Sequence, residues 1–524
     1  MLQFAADGIS QSCLKLTSIT SKISTLREYL SMYLCVLSWL TVKNIEMSKL
    51  RTVHPNEFEP HLHWYPKALN ATIHPMISFF LSLEQERIIT RYCHLHPTVD
   101  KEKLREVLNH KAKYFLWAGA DLLNVTSAGG KRQMVVIENN SCPSGQKSMP
   151  LVDDNQEQGS YRLMVERTFK PSLKNLRNKI KGGLAVIYDK NPMEVSGYAE
   201  VIADVMQEPV YYVSFYKDDD NPSAKFVDGI LYVLNGEEWK PIRAAFRYVT
   251  QKPWNRIPVN AKTKILNPTI ACLAGGRNKM VAAKAYDIFN AEIAPFGLKI
   301  NMPETIWDVS KNEIPLWVRK LGGHAVIKVP YSNAGQGVYT IVTQEELDAF
   351  MEMEFDYDLF IVQSLIGNSN WTSTTASGKL YHVGTIPDNK NQAFVADIRM
   401  MVSSTEKGIR PLCTYARRAE KPLVDNITSS IDSWSMLGTN LSIKNADGTW
   451  GSDTNRLVLM DRRDFNKLGI GLDDLIECYI QTVLSMVAID KMAQTLVNKQ
   501  GKFRMKLFKS LNDDQSLLDE IKVN

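Results

Sequence analysis

A lysine stands inside an apolar segment that leads into a glycine-rich loop and then into a second apolar segment. Val326-Ile327-Lys328-Val329 predicts a strand, and Gly335 and Gly337 lie in the loop that follows it. An ammonium group on a buried strand is costly unless an anion pairs with it. Glycines let backbone N–H groups approach an anion closely. The segment predicts a phosphate site, and the alternative is an exposed hairpin whose lysine reaches solvent.

A second segment places oxygen-bearing side chains at the end of an apolar strand. Val135-Val136-Ile137 leads directly into Glu138 and Asn140, which share one face because strand side chains alternate. Asp121 lies on the strand expected to pair with this one in a hairpin. Carboxylate and amide oxygens suit Mg²⁺ beside phosphates. The segment predicts a metal site of Asp121, Glu138 and Asn140, and the alternative is a strand-end turn in which Asn140 caps the loop.

A third segment carries two opposite charges on one face of an otherwise apolar strand. Asp397 and Arg399 are two residues apart between Phe394 and Val402. An arginine on such a face can hold a phosphate, or the charge that develops on an acyl phosphate, with two parallel hydrogen bonds. The aspartate could orient that arginine. A purely structural ion pair is the alternative interpretation.

Composition limits the classes of function. The chain has 524 residues, is 44% hydrophobic and carries a formal net charge of +5, which does not indicate a nucleic-acid or membrane partner. Seven scattered cysteines without metal-site spacing favour the cytoplasm over a disulfide-forming compartment. The apolar stretch from Tyr29 to Val42 is too short to span a bilayer. Stable membrane insertion is not expected, and an oligomer is possible.

The pattern of strands and helices predicts five parts. An N-terminal extension occupies residues 1–46, either as a peripheral helix or without order. Residues 47–150 contain helices and the oxygen-ligand hairpin, and residues 151–265 form a small α/β lobe. Residues 266–445 contain the lysine strand and the Asp397 strand, and residues 446–524 form a helical end with a polar, basic tail.

These segments together resemble the ATP-grasp superfamily, in which a strand lysine and a glycine-rich loop hold phosphates and an Asp-x-Arg strand lies nearby. The resemblance implies an α+β fold with ATP and Mg²⁺ as cofactors and a small α/β substrate lobe. The metal segment comes last in the usual order, whereas here it precedes Lys328 by about 190 residues. Eukaryotic glutathione synthetase and glutathionylspermidine synthetase are similar in having such a circularly permuted order.

The resemblance also assigns roles to residues. It implies Lys328 and Arg399 as catalytic residues, Asp121, Glu138 and Asn140 as metal ligands, and Arg247 as a substrate contact, with Arg243 as the alternative. Lys284 is the alternative to Lys279 as the earlier nucleotide-contacting lysine. The nucleotide site is implied to comprise Lys279, Lys328, Gly335, Gly337, Gln363, Ser364, Leu365 and Asp397.

The reaction implied by the resemblance joins a carboxylate to an amine or another nucleophile through an acyl phosphate. The substrates would be small molecules or peptides that bear these groups. Two alternatives remain at this point. One is a phosphotransferase on the same fold, and the other is a non-catalytic nucleotide-binding protein.

Overall fold

The computed structural model describes residues 49–174, 180–249, 252–332, 335–427, 432–444 and 450–522. The extension expected over residues 1–46 lies outside these ranges. The strands of the described residues are β1 (Leu50–Val53), β2 (Trp117–Ser127), β3 (Arg132–Asn140), β4 (Gly183–Tyr188), β5 (Val210–Ser214), β6 (Ala224–Val227), β7 (Ile230–Asn235), β8 (Glu238–Tyr248), β9 (Lys264–Leu266), β10 (Thr305–Ser310), β11 (Ala325–Lys328), β12 (Val338–Ile341), β13 (Leu359–Ser364), β14 (Leu380–His382), β15 (Ala396–Thr405), β16 (Gly408–Arg418), β17 (Ser442–Lys444), β18 (Trp450–Ser452) and β19 (Leu457–Val458).

Helices alternate irregularly with these strands, and the α+β class expected from the sequence is confirmed. The α-helices of the described residues are α1 (Pro66–Leu69), α2 (Pro75–Ser82), α3 (Gln85–Leu95), α4 (Lys101–Leu108), α5 (Gly159–Met164), α6 (Lys170–Leu173), α7 (Pro192–Met206), α8 (Thr269–Ala271), α9 (Lys279–Ile293), α10 (Ile314–Lys320), α11 (Gln344–Glu352), α12 (Ser433–Leu437), α13 (Leu472–Thr495), α14 (Met505–Leu511) and α15 (Gln515–Lys522).

The first sheet is antiparallel and runs β3-β2-β15-β16-β19, with β14 beside the far end of β2. The predicted hairpin of β2 and β3 is therefore present. Its register pairs Asp121 with Glu138 on one side, and β15 pairs Asp121 with Arg399 on the other. Residues that are distant in sequence thus become cross-strand neighbours, whose Cβ atoms lie about 5 Å apart in such pairs.

The second sheet is also antiparallel, in the order β10-β13-β11-β12. It carries the predicted lysine strand, and Lys328 pairs with Val338 of β12 and with Ile361 of β13. Alternate residues of β11 face an apolar cluster that includes Ala325 and Ile327. Because side chains alternate, Lys328 faces the opposite side of the sheet from Ile327.

The third sheet is mixed. Strands β5, β4 and β8 are parallel to one another, and β7 and β6 extend the sheet as antiparallel strands. The sequence pattern predicts one strand from Phe226 to Leu234, and this is wrong. A turn at Asp228-Gly229, where both residues have positive φ, divides it into β6 and β7.

The long helix α13 lies in the main apolar core, packed against β2, β3 and β15 and against α9. Its Asp490 is fully buried and accepts hydrogen bonds from the backbone N–H groups of Tyr114 and Phe115 at 2.8 and 2.9 Å. The polar tail expected after it is instead helical, because α14 and α15 bury Phe508 and Leu517 against the same core.

Residues Thr52–Asn524 group into one compact unit, and the five-part division of the sequence stays a prediction. None of the helices in the described residues is both long and apolar enough to cross a membrane. Although α13 has 24 residues, it is an interior helix that carries charged residues such as Asp490.

Glu477 of α13 provides a test of the packing. Burial raises the pKa of its carboxyl group from 4.5 to about 7. The ionised form is disfavoured in the folded protein, so the free energy of unfolding falls as pH rises from about 4.5 to about 7. We expect Glu477→Gln to raise this free energy by about 1–2 kcal/mol at pH 8 and to change it little at pH 4. Thermal unfolding at both pH values checks this, and equal effects at both would contradict it.

Candidate active site

The three sheets described above, together with the small two-stranded sheet of β17 and β18, contribute residues to one cavity of about 1170 Å³. The first sheet contributes Asp121, Glu138 and Arg399, the second contributes Lys328, and the third contributes Tyr248 at the end of β8. The sequence segments predicted to act together are therefore brought together. Among the described residues, the lining carries six cationic residues, Lys147, Lys190, Arg277, Lys328, Arg399 and Arg417, against four acidic ones, Asp121, Glu138, Asp189 and Asp397.

Four buried charges on neighbouring strands form one wall of the cavity, here named the ion cluster: Asp121, Asp397, Arg399 and Arg417. Arg399 donates from Nε and Nη2 to the two oxygens of Asp121, at 2.5 and 2.6 Å. Arg417 binds both oxygens of Asp397, with Nε at 3.0 Å from Oδ1, and its Nη2 lies 3.0 Å from Asp121 Oδ2. The two acids and two arginines neutralise one another in a setting where a lone charge would be strongly destabilising.

The ion cluster changes the interpretation of Asp121. Burial alone would raise the pKa of this carboxyl group, but attraction by Arg399 and Arg417 lowers it to about 2. Both of its oxygens already accept hydrogen bonds from arginine. We therefore assign Asp121 to the ion cluster rather than to the metal site predicted from the sequence. Likewise Asp397, predicted as a nucleotide contact, is held by Arg417 although it lines the cavity.

Glu138 and Asn140 suit a divalent cation better. The only ion pair of Glu138 within the described residues is to Lys279, whose Nζ lies 3.6 Å from Oε2. Burial is the largest single effect and would raise the pKa of Glu138, but the combined attraction of Lys279, Arg399 and Lys328 lowers it, so the carboxylate is ionised. The Asn140 carbonyl oxygen accepts from Arg277 at 3.2 Å and retains a second lone pair. One carboxylate and one amide oxygen beside phosphates is an ordinary Mg²⁺ environment.

Two lysines face this pair of oxygen ligands. Lys328 lines the cavity and donates to the Ile137 carbonyl at 3.2 Å, next to Glu138 in the chain. Burial lowers the pKa of Lys328 to about 8, although Glu138 opposes this. Lys279 donates to the Ser332 carbonyl at 2.7 Å. The alternative Lys284 binds Asp308 and the Leu511 carbonyl. Neither lysine lines the cavity, but Lys279 lies 3.6 Å from Glu138 and shares a small neighbouring pocket with Glu138 and Lys328.

The glycine loop lies between the lysine strand and the segment around α12. Gly335 lines the cavity with φ of +75° and faces Trp434 and Asn440, where a Cβ atom would come within 3.1 Å of each. Gly337 has φ of +67° and its carbonyl accepts from Val329 N–H at 2.8 Å. Gly337 therefore shapes the turn into β12 but does not line the cavity.

Three residues of the implied nucleotide site, Gln363, Ser364 and Leu365, also line the cavity. Its backbone is largely engaged within the protein. Leu365 N–H donates to Ser373 Oγ at 2.7 Å, and the Leu365 carbonyl accepts from the backbone and side chain of neighbouring residues. The Gln363 amide donates to Thr305 Oγ1 at 2.8 Å. Contacts of these groups to a nucleotide stay a prediction.

Arg247 does not reach the cavity. Its guanidinium is fully buried and binds the carbonyls of Asn267 and Val249 at 2.9 and 3.2 Å. Arg243, the alternative, binds Glu208 and the Gly182 carbonyl. The resemblance implied a substrate contact for Arg247, but it could not show that its side of β8 is closed by Ser141 and the segment around Cys272.

Several lining residues were missed by the sequence analysis. Arg417 is the cross-strand partner of Asp397, and only the register reveals this. Lys190 follows β4 directly, and the rule that ligands bind at the carboxyl ends of parallel strands could have drawn attention to it. Arg277 immediately precedes Asn278, the N-cap of α9, and donates to Asn140 and to the Cys142 carbonyl.

Neither a protein-family model nor a curated protein sequence matches the chain. Solved structures similar to it include an ATP-grasp RimK domain protein from Sphaerobacter thermophilus (14% identity, 44% of this chain and 89% of that one, TM-score 0.26). A glutathione synthetase-like effector from Globodera pallida (8% identity, 66% and 86%, TM-score 0.34) and D-alanyl-alanine synthetase A from Vibrio cholerae (12% identity, 45% and 89%, TM-score 0.28) are also similar.

ATP-grasp proteins are therefore among the matched structures, in agreement with the family that the sequence resembles. Because each TM-score lies below 0.5, these likenesses carry no argument about what the chain does. The functional assignment rests on the geometry of the cavity.

The assignment of Asp121 to the ion cluster is testable by comparison with Glu138. Asp121→Asn leaves two buried arginines with one carboxylate, and we expect the free energy of unfolding to fall by about 3 kcal/mol. Glu138→Gln alters a partly exposed group with a single lysine at 3.6 Å, and should change it by less than about 1 kcal/mol. Thermal or urea unfolding with EDTA and without nucleotide measures both. Equal stabilities of the two variants would contradict the assignment.

Proposed function

We propose that the chain is an ATP- and Mg²⁺-dependent carboxylate–amine ligase of the ATP-grasp type. The observation that carries this proposal is the convergence of Glu138, Asn140, Lys328 and Arg399 on one cavity from segments far apart in sequence. Phosphoryl transfer requires oxygen ligands for a cation, a lysine that binds phosphate and an arginine that stabilises the transferring group. The excess of cationic over acidic residues in the lining suits a polyanionic nucleotide.

In this proposal Glu138 and Asn140 hold Mg²⁺, which neutralises charge on the transferring phosphoryl group. Lys328 and Lys279 hold phosphate oxygens, and the loop containing Gly335 covers them. Arg399 has five N–H groups, of which three are used by Asp121 and the Ser144 carbonyl. The remaining two can bind an equatorial phosphate oxygen. Because Asp121 fixes the guanidinium plane, this contact needs little reorganisation.

The chemistry expected of such a site has two steps. A substrate carboxylate oxygen attacks the γ-phosphorus, the bond to the β-phosphate oxygen breaks, and ADP leaves. An amine nitrogen then attacks the acyl carbon of the resulting acyl phosphate, phosphate leaves, and the amine loses its proton to phosphate or water. The chain's own residues bind and orient the anions in both steps, and the described geometry identifies no general base.

We further infer that the fold is a circular permutation of the ATP-grasp arrangement. The hairpin β2–β3 carries Glu138 and Asn140, and it precedes the lysine strand β11 in the chain. The register of β2 with β15 places this hairpin beside the Asp-x-Arg strand regardless of that order. Small molecules or peptides in the cytoplasm are the proposed substrates.

Removal of Lys328 tests the nucleotide site. Lys328→Ala should weaken MgATP binding at least ten-fold, because a charge-assisted contact to phosphate is lost. Lys284→Ala is the matched control, since this lysine belongs to a nearby helix but lies outside the cavity. Isothermal calorimetry with MgATP measures both variants. Unchanged affinity in Lys328→Ala, or equal loss in both variants, would contradict the proposal.

The metal site is tested with Glu138→Gln. We expect ATP to stabilise the wild-type protein against heat only when Mg²⁺ is present, and the variant to lose this dependence while keeping its fold.

A second experiment separates the ligase from the phosphotransferase. The release of ADP from MgATP is measured in the presence of a pool of carboxylates, with and without amines. Stabilisation by MgATP without ADP release on any pool would favour the non-catalytic alternative.

A further inference from the structure

The cavity extends from the phosphate end onto the carboxyl edge of the third sheet. Lys190 follows β4, Tyr216 follows β5, and Tyr248 ends β8, and all three residues line the cavity. The three strands are parallel and in register, since Tyr188 pairs with Ser214 and with Tyr248. Ligands of parallel sheets bind in the crevice at this edge. This edge of the third sheet therefore borders the same cavity as Lys328, where the phosphates are proposed to bind.

Lys190 differs from its charged neighbour at this edge in the contacts that its side chain makes. Within the described part of the chain, its ammonium forms neither a hydrogen bond nor an ion pair. Its neighbour Asp189 is paired with Arg256 at 2.9 Å. Burial of an ammonium is unfavourable, Asp189 offsets that cost for Lys190 only in part, and a bound anion would reduce it further.

Two further cations surround the same place. Arg277 lines the cavity next to Asn140, and its proximity, after burial itself, lowers the pKa of Lys190 to about 8. Lys147 also lines the cavity, and its ammonium donates to the side-chain oxygen of Asn191. Positive charge therefore accumulates at the sheet edge as well as around Lys328.

We propose that the sheet edge binds a second carboxylate of the substrate, with Lys190 as the residue that selects for it. This inference rests on the proposed ligase function, since the first carboxylate is the one phosphorylated between Lys328 and Arg399. The substrate class is accordingly a dicarboxylate, such as an acidic amino acid or peptide. Asn191 and Ser144 also line the cavity, where their side chains bind Glu194 and each other and so fix the shape of the wall beside the sheet edge.

The probes are linear dicarboxylates from succinate to pimelate, monocarboxylates of the same lengths, and inorganic phosphate. Thermal shift without nucleotide measures binding, and ADP release with MgATP measures KM. Lys190→Ala should lose the thermal shift with dicarboxylates and raise their KM about ten-fold, while kcat and the response to monocarboxylates stay unchanged. Lys190→Arg, which keeps the charge, should retain most of the preference for dicarboxylates.

Lys181→Ala is the matched control, because Lys181 is exposed and precedes the same strand at its opposite end. Wild-type dicarboxylate preference in Lys190→Ala would overturn the inference, as would a wild-type protein that responds to no dicarboxylate. A Lys190-dependent shift with phosphate alone would show a phosphate site instead. If neither the wild-type protein nor any variant bound MgATP, the ligase proposal would be refuted. A thermal shift with dicarboxylates that needs no nucleotide and depends on Lys190 would still support the role of Lys190.

Discussion

The ion cluster of Asp121, Asp397, Arg399 and Arg417 is the constraint on which the candidate site depends. These residues lie on three adjacent strands, β2, β15 and β16, and each charge has an opposite charge within hydrogen-bonding distance. Loss of one member would leave an uncompensated charge in the interior. The register of the sheet and the orientation of Arg399 are therefore linked, because a slip of one residue would move these side chains to opposite faces.

A further buried carboxylate, outside the ion cluster, connects this wall to the third sheet. Glu194, in the first turn of α7, accepts from the backbone N–H groups of Gly145 and Gln146 at 2.9 and 3.1 Å. The same loop presents the Ser144 carbonyl to Arg399 at 3.1 Å. The loop after β3 is thus held by two contacts. Glu194 of α7 binds it from the side of the third sheet, and Arg399 binds it from the first sheet. This contact places the sheet edge that carries Lys190 in the same cavity as the ion cluster.

The sequence predicted the local elements of the site well, because the alternation of apolar residues and the turn residues that define each strand lie within a short segment. Lys328 on an apolar strand, and Glu138 with Asn140 at a strand end, are found where alternation and turn residues indicated. The partners of these residues were less accessible to sequence analysis. The role of Asp121 depends on which residues β15 and β16 bring opposite it, and the closed side of β8 around Arg247 depends on distant segments. Such information resides in long-range register, which one sequence does not display.

The position of Lys328 and Lys190 in the cavity, together with the lowered pKa of each, favours anionic ligands. Burial lowers the pKa of both Lys328 and Lys190 to about 8, so the protein without ligand holds their ammonium groups against a desolvation cost. Glu138 offsets that cost for Lys328 only in part, and Asp189 does the same for Lys190. An anion bound beside either lysine would raise its pKa again, and the free energy recovered would appear as affinity. Two such lysines, one on the second sheet and one after a strand of the third, line the same cavity. They favour an assembly with two anionic groups, the nucleotide phosphates beside Lys328 and a carboxylate beside Lys190.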